Sequence, residues 1–130
     1  MGTAAGGQPP PASSARADGR QCSDLRPPGC ELALLERTDG SARYDCGDQT
    51  KVLVGVYGPV EVRQREELLD RATIQAVFRP LVGALSAAVN AATLALIDAG
   101  ISLTELVAAA TCAVTEDGVF LLDPTAKEAK

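Results

Sequence analysis

The rhythm of apolar and polar positions changes repeatedly along this chain, and each change predicts an element. Thr50–Tyr57 is a Val/Leu/Tyr-rich run, broken by Gly55 and closed by Gly58-Pro59. β-branched and aromatic residues suit a pleated, half-buried surface, so the run predicts a strand. Gly55 inside it marks a bulge or a close backbone approach. Before it, Asp39-Gly40-Ser41 and Asp45-Cys46-Gly47-Asp48 are turn clusters around the short polar run Ala42–Tyr44, which predicts a second strand. Leu32–Glu36 is apolar and predicts a first strand, pairing with Ala42–Asp45 across a turn at Arg37–Ser41. Glu61–Arg71 is charged, as expected of a solvated connection or a short surface helix. Ala72–Phe78 alternates well enough for another strand and ends at Arg79-Pro80.

The period then lengthens. In Ala84–Ala99, Leu85, Val89, Ala92 and Leu96 fall on one stripe of a 3.6-residue helix, and Leu94 and Ile97 lie on other faces. A helix apolar nearly all round is expected to be buried. Its many alanines allow close approach to a sheet, and Gly100 stands where a C′ glycine belongs. Ser86, Asn90, Thr93 and Asp98 interrupt it too often for a membrane span. Ser102-Leu103-Thr104-Glu105 is a capping box and predicts a short helical turn. Val107–Thr115 and Val119–Leu122 flank Glu116-Asp117-Gly118, the pattern of a hairpin, which Asp123-Pro124-Thr125 ends. Strands and a helix in this order predict an α+β domain.

Composition sharpens the boundaries. Residues 1–29 are rich in Ala, Gly, Pro and Ser and bury too little apolar surface to offset chain entropy, so they are expected to be a disordered tail ahead of a domain over 30–130. Aromatics are only 3% of the 130 residues, so the core must be built from Ala, Val, Leu and Ile. The net charge of −5 argues against a free-standing nucleic-acid binder, which is normally basic. There is no His, which removes a His base, a Ser-His-Asp triad and His metal ligands. Cys22, Cys30, Cys46 and Cys112 include no Cys-x-x-Cys pair, so a zinc site is not expected. No apolar leader opens the chain, and the cysteines are expected as reduced thiols. Met1-Gly2 fails as a myristoylation signal because residue 6 is Gly6.

Asp39-Gly40-Ser41, a short strand, then Gly47-Asp48 with Thr50 and Val52-Leu53, and an apolar strand ending in Val56-Tyr57-Gly58-Pro59 resemble the N-terminal signature of the RNase PH family. Arg79-Pro80 resembles the close of a later strand in that family. The resemblance covers about residues 30–80 and 83–128. It implies an α+β RNase PH-type fold (ribosomal protein S5 domain 2-like), here incomplete. Family members carry a long segment after the Arg-Pro-x-x-Gly point and a long C-terminal helix, so this chain resembles a shortened form.

The resemblance also implies a chemistry to look for. Active members cleave RNA from its 3′ end with inorganic phosphate, held by a Gly-Thr-Arg at the start of the buried helix. The corresponding positions here are Gly83, Ala84 and Leu85, so the Arg is replaced. Two aspartates follow the late hairpin in active members; the first falls on Asp123 and the second on Ala129, with the acidic Glu128 one residue early. Asp123 also suits a plain Asp-Pro turn. The implied role is therefore non-catalytic: a structural ring subunit of the RNA exosome, with neither metal nor other cofactor. Its implied partners are the other RNase PH-like ring subunits and the RNA-binding cap subunits. RNA is reached through the assembled complex, with Arg37 and Arg79 as candidate contacts, and no membrane is involved. Nucleus, nucleolus and cytoplasm are the implied locations. The alternatives are a phosphorolytic 3′-to-5′ exoribonuclease, or a shortened form with little function of its own.

Overall fold

The structure is a computed structural model that describes residues 16, 18–47, 50–63, 65, 67–68, 70–79, 85–116, 118–125 and 128. The chain divides into two compact units. One is Leu25–Thr111; the other combines the described residues before Leu25 with those after Thr111.

The first unit is a three-stranded antiparallel sheet with one helix on it. Its strands are β1 (Pro28–Leu32), β2 (Gly40–Cys46) and β3 (Thr50–Val56), in the order β1-β2-β3. Glu31 stands opposite Arg43, and Ala42 opposite Val54. β3 alternates half-buried and exposed positions, with Val52, Val54 and Val56 on the more buried face. Its ladder with β2 is unbroken through Ser41 opposite Gly55, so Gly55 is not a bulge. It is a close approach: a Cβ there would lie 2.9 Å from Thr38 Cγ2 and 3.2 Å from Leu35 Cδ1. On that outer face Arg43 reaches Glu31 at 2.8 Å and lies 3.3 Å from Asp45, the latter contact misaligned for a hydrogen bond.

β1 lies earlier than the apolar run at Leu32–Glu36 suggested. The chain leaves the sheet at Ala33, whose φ is 57°. The Ala33 N–H still donates to the Ser41 carbonyl, at 3.0 Å, and the Leu35 N–H to Ser41 Oγ, at 2.9 Å. Leu34 and Leu35 therefore sit in a loop that folds back toward β2 rather than in a strand.

The helix α1 (Leu85–Asp98) packs on β2 and β3. Its buried residues are Ala87, Ala91 and Ala95, an i, i+4, i+8 stripe. The expected stripe of Leu85, Val89, Ala92 and Leu96 is not the buried one, and Leu85 is exposed. The small side chains win because the backbones approach so closely. A Cβ added to Gly40 would lie 2.4 Å from both the Ala95 carbonyl oxygen and the Ala99 nitrogen. Past α1, Gly100 adopts φ +69°, its N–H bonds Ile97 O and the Ile101 N–H bonds Leu96 O. This is the Schellman arrangement, and it satisfies the last carbonyls of the helix.

Three further expectations are corrected within this unit. Ala72–Phe78 is not a strand: among the described residues no strand pairs with it, and it is exposed along its length. The capping box at Ser102–Glu105 starts no helix. Residues 107–111 are not strand either, because their backbone is engaged by α1 instead. Asn90 Nδ2 donates to Ala109 O at 2.9 Å, Asn90 Oδ1 accepts from the Ala109 N–H at 2.8 Å, and Thr93 Oγ1 donates to Val107 O at 2.8 Å. No described residue of Glu61–Arg71 is helical, which leaves it a connection.

The second unit is built on the hairpin β4 (Cys112–Val114) and β5 (Phe120–Leu122), with Val114 opposite Phe120. The Thr115 N–H and the Gly118 N–H close its turn, on Val119 O and Thr115 O. Alongside β5 runs part of the segment expected to be a disordered tail. The Leu122 N–H donates to Cys22 O at 2.9 Å, and Arg16 is buried. Residues 16 and 18–29 thus hold structure; residues 1–15 lie outside the described ones. No disulfide joins the cysteines.

Candidate functional site

In the first unit, the start of α1 is the position that the family resemblance implies for a phosphate site. Its first described residue, Leu85, is 67% exposed and carries an apolar side chain. Gly83 and Ala84 lie outside the described residues. A helix N-terminus offers unpaired N–H groups and the positive end of the helix dipole. Leu85 adds no charge and no donor to them. Arg37 and Arg79 are both exposed and form no ion pair among the described residues.

In the second unit, Asp123 directly follows β5. It is 7% exposed with φ 50°, in the left-handed region that Asp tolerates better than most residues. This turn swings the chain back so that two arginines from the N-terminal segment converge on the strand end. Arg16 Nη1 donates to Leu122 O at 2.7 Å and Nη2 to Asp123 O at 2.9 Å. The same guanidinium meets Glu128 in a fork, Nε to Oε1 at 3.0 Å and Nη2 to Oε2 at 2.8 Å. Arg20 lies beside it, with Nη1 3.5 Å from Asp123 Oδ2 and Nε 2.7 Å from Asp18 Oδ2.

Glu128 also accepts from the Thr125 N–H at 2.7 Å and from Thr125 Oγ1 at 2.9 Å. Hydrogen bonds from Arg16 and from Thr125 hold its carboxyl down to about 2, with burial pushing the other way. The Arg16 guanidinium is raised above its ordinary value, first by the Glu128 hydrogen bond. Ala129 lies outside the described residues. Among those described, no group of His, Cys, Asp and Glu is placed to hold a metal ion. The unit also carries an open apolar pocket of about 260 Å³, lined by Cys22, Ser23, Cys112, Phe120, Leu121 and Leu122, with little to bind an anion.

Asp123 and Glu128, both singled out from the sequence, are therefore brought together, through Arg16. Sequence reasoning missed Arg16 and Arg20 because they lie in a segment whose composition hid them. The available signal was two arginines one helical turn apart in a stretch otherwise nearly free of long side chains.

Comparison with known proteins accounts for the arrangement of strands. The model of a 3′ exoribonuclease family, domain 1 (RNase PH), matches residues 24–83. The crystal structure of Rrp46 from rice superposes with a TM-score of 0.76 at 32% identity, covering 88% of this chain and 73% of that one. The chain belongs to the RNase PH family. Its fold is the α+β RNase PH type, incomplete.

Among curated RNase PH relatives, the Arabidopsis thaliana "Exosome complex exonuclease RRP46 homolog" is 30% identical, covering 88% of this chain and 66% of the relative. "Exosome complex component Rrp41" of Thermoplasma volcanium is 41% identical over 64 residues, 48% of this chain and 25% of the relative. The chain spans about two thirds of the length of the plant relatives it matches. The Arabidopsis alignment runs over 158 positions, more than the 130 residues of this chain, so the relative carries internal sequence that this chain skips.

Proposed function

We propose that this chain is a non-catalytic structural subunit of an RNA exosome ring, supporting 3′-to-5′ RNA processing and degradation, including ribosomal RNA maturation and messenger RNA decay. The observation that carries this reading is Leu85, exposed and apolar at the first described turn of α1. Phosphate carries up to two negative charges, and charge-assisted bidentate contact from Arg is the strong way to hold it. Helix N–H groups alone are a weak substitute. The state of Asp123 supports the same conclusion: its carboxylate faces Arg20 and its carbonyl is engaged by Arg16. A carboxylate so occupied is poorly placed to position a metal or a proton.

The rival reading, a phosphorolytic exoribonuclease, rests on the plant relatives, whose names carry the word exonuclease. The Saccharomyces cerevisiae relative is named a component only. Replacement of the phosphate-holding Arg weighs against the rival.

The proposed partners are the other RNase PH-like ring subunits and the RNA-binding cap subunits. With a net charge of −5, this chain would meet RNA through a basic channel supplied largely by neighbours, with Arg37 and Arg79 as its own contribution. Nucleus, nucleolus and cytoplasm are the corresponding locations. Affinity capture of the tagged chain from cells tests the assembly: co-purification of the other ring subunits is expected, and their absence under conditions that retain a full-length RNase PH-like subunit overturns it.

A further inference from the structure

We propose that the end of β5 is a receptacle for a single guanidinium group, and that Arg16 fills it to strap the N-terminal segment onto the hairpin. The receptacle is made of Leu122 O, Asp123 O and both carboxylate oxygens of Glu128. These acceptors receive four hydrogen bonds from one planar group, at 2.7 to 3.0 Å, and the Arg16 side chain is only 1% exposed.

The geometry selects guanidinium over ammonium. The fork of Nε and Nη2 on Glu128 needs two parallel donors held in one plane, and Nη1 must reach a separate carbonyl at the same time. A Lys ammonium is a compact point charge with no such fixed fork. The acceptors are themselves held in place. Thr125 anchors the Glu128 carboxylate with its N–H and its hydroxyl, and the left-handed turn at Asp123 aims the Asp123 carbonyl at the same point. Removing the guanidinium would take a donor from each of the two carbonyls and leave Glu128 Oε1 without its Arg16 partner, which is costly in a part-buried site. Among the described residues, the backbone bond from Leu122 to Cys22 and the contacts of Arg20 with Asp123 also tie the segment around residues 16–24 to the hairpin. Arg16, with four hydrogen bonds and a buried side chain, is the main fastening, and the segment is a strap whose release leaves a guanidinium site empty.

Limited digestion of the full chain with trypsin reads the strap directly, because trypsin must take the arginine side chain into its own pocket. In the parent chain, cleavage after Arg16 is expected to be at least about tenfold slower than after the exposed Arg71, since proteolysis tracks the open population. Equal rates at the two sites overturn the proposal. In Arg16→Ala and Arg16→Lys, the strap opens and cleavage after Arg20, relative to Arg71, is expected to rise several-fold. Excess methylguanidinium is expected to restore protection of Arg20 in Arg16→Ala, measured as the ratio to Arg71, while methylammonium at equal concentration is not. No change at Arg20 on substitution, or equal effects of the two cations, refutes the receptacle. Should Arg16→Ala fail to fold, seen as rapid cleavage after Arg43 within β2, Glu128→Gln replaces it. That variant keeps one acceptor oxygen and is expected to expose Arg16 to cleavage while Arg43 stays protected; continued protection of Arg16 overturns the proposal.

Discussion

The Ser41 N–H donates to Asp98 Oδ2 at 2.9 Å, joining the start of β2 to the last residue of α1. Ser41 is 1% exposed, so its N–H has no access to water. Asp98 sits at the helix C-terminus, where the helix dipole disfavours a negative charge. It is held there by what it does for the sheet. Next to it, Gly40 lies against Ala95 and Ala99 with no room for a side chain.

Asp98→Ala should therefore cost more than a surface change. The Ser41 N–H would be buried without an acceptor, a loss of about 1–3 kcal/mol. Asp98→Asn keeps an acceptor oxygen and removes the charge opposed to the dipole, so it should lie closer to the parent. Urea unfolding of the three chains checks this order.

Glu128 gives a pH dependence with a defined sign. Its folded value, about 2, lies below its ordinary one, 4.5, so its contribution is present above the ordinary value and lost as pH falls through the folded one. The parent chain should lose stability between about pH 5 and pH 2 more steeply than Glu128→Gln, which has no carboxylate to protonate. Urea midpoints measured across that range decide it, and parallel curves would show that the Arg16 pair contributes nothing.

The strands flanking the Asp-Gly and Gly-Asp turns were legible because turn chemistry and β-branched residues agree there. β1 was not, because Leu32–Glu36 is the more apolar run while Pro28–Leu32 gains its pairing from the register of Cys30 with Tyr44. The existence of α1 was legible from its period and from Gly100. Its buried face was not, because side-chain size marks hydrophobicity, whereas contact with Gly40 selects alanine. Alternation at Ala72–Phe78 encodes two faces but does not supply a partner strand. Of the candidate site, Asp123 and Glu128 were visible through the family pattern. Arg16 was hidden, since its role depends on a contact with a residue 112 positions away.

That unpartnered stretch should make the isolated chain associate. Ile74 is 71% exposed and Val77 76% exposed, in a segment with no strand beside it among the described residues. Exposed apolar segments with open backbone groups invite pairing with another chain. Light scattering coupled to size exclusion should show mass rising with concentration. Ile74→Lys combined with Val77→Glu should reduce it. A monodisperse parent would mean that the segment is protected.

On the proposed reading an RNase PH fold serves here without phosphorolysis, and an assay of nucleotide release tests that. Purified chain is incubated with a 3′-tailed RNA, inorganic phosphate and Mg²⁺, beside a mock purification, and nucleoside diphosphates are measured. With Leu85 in place of the phosphate-holding Arg, no phosphate-dependent release above the mock is predicted. Release of nucleoside diphosphates that requires phosphate and is absent from the mock would show that the chain is a phosphorolytic enzyme.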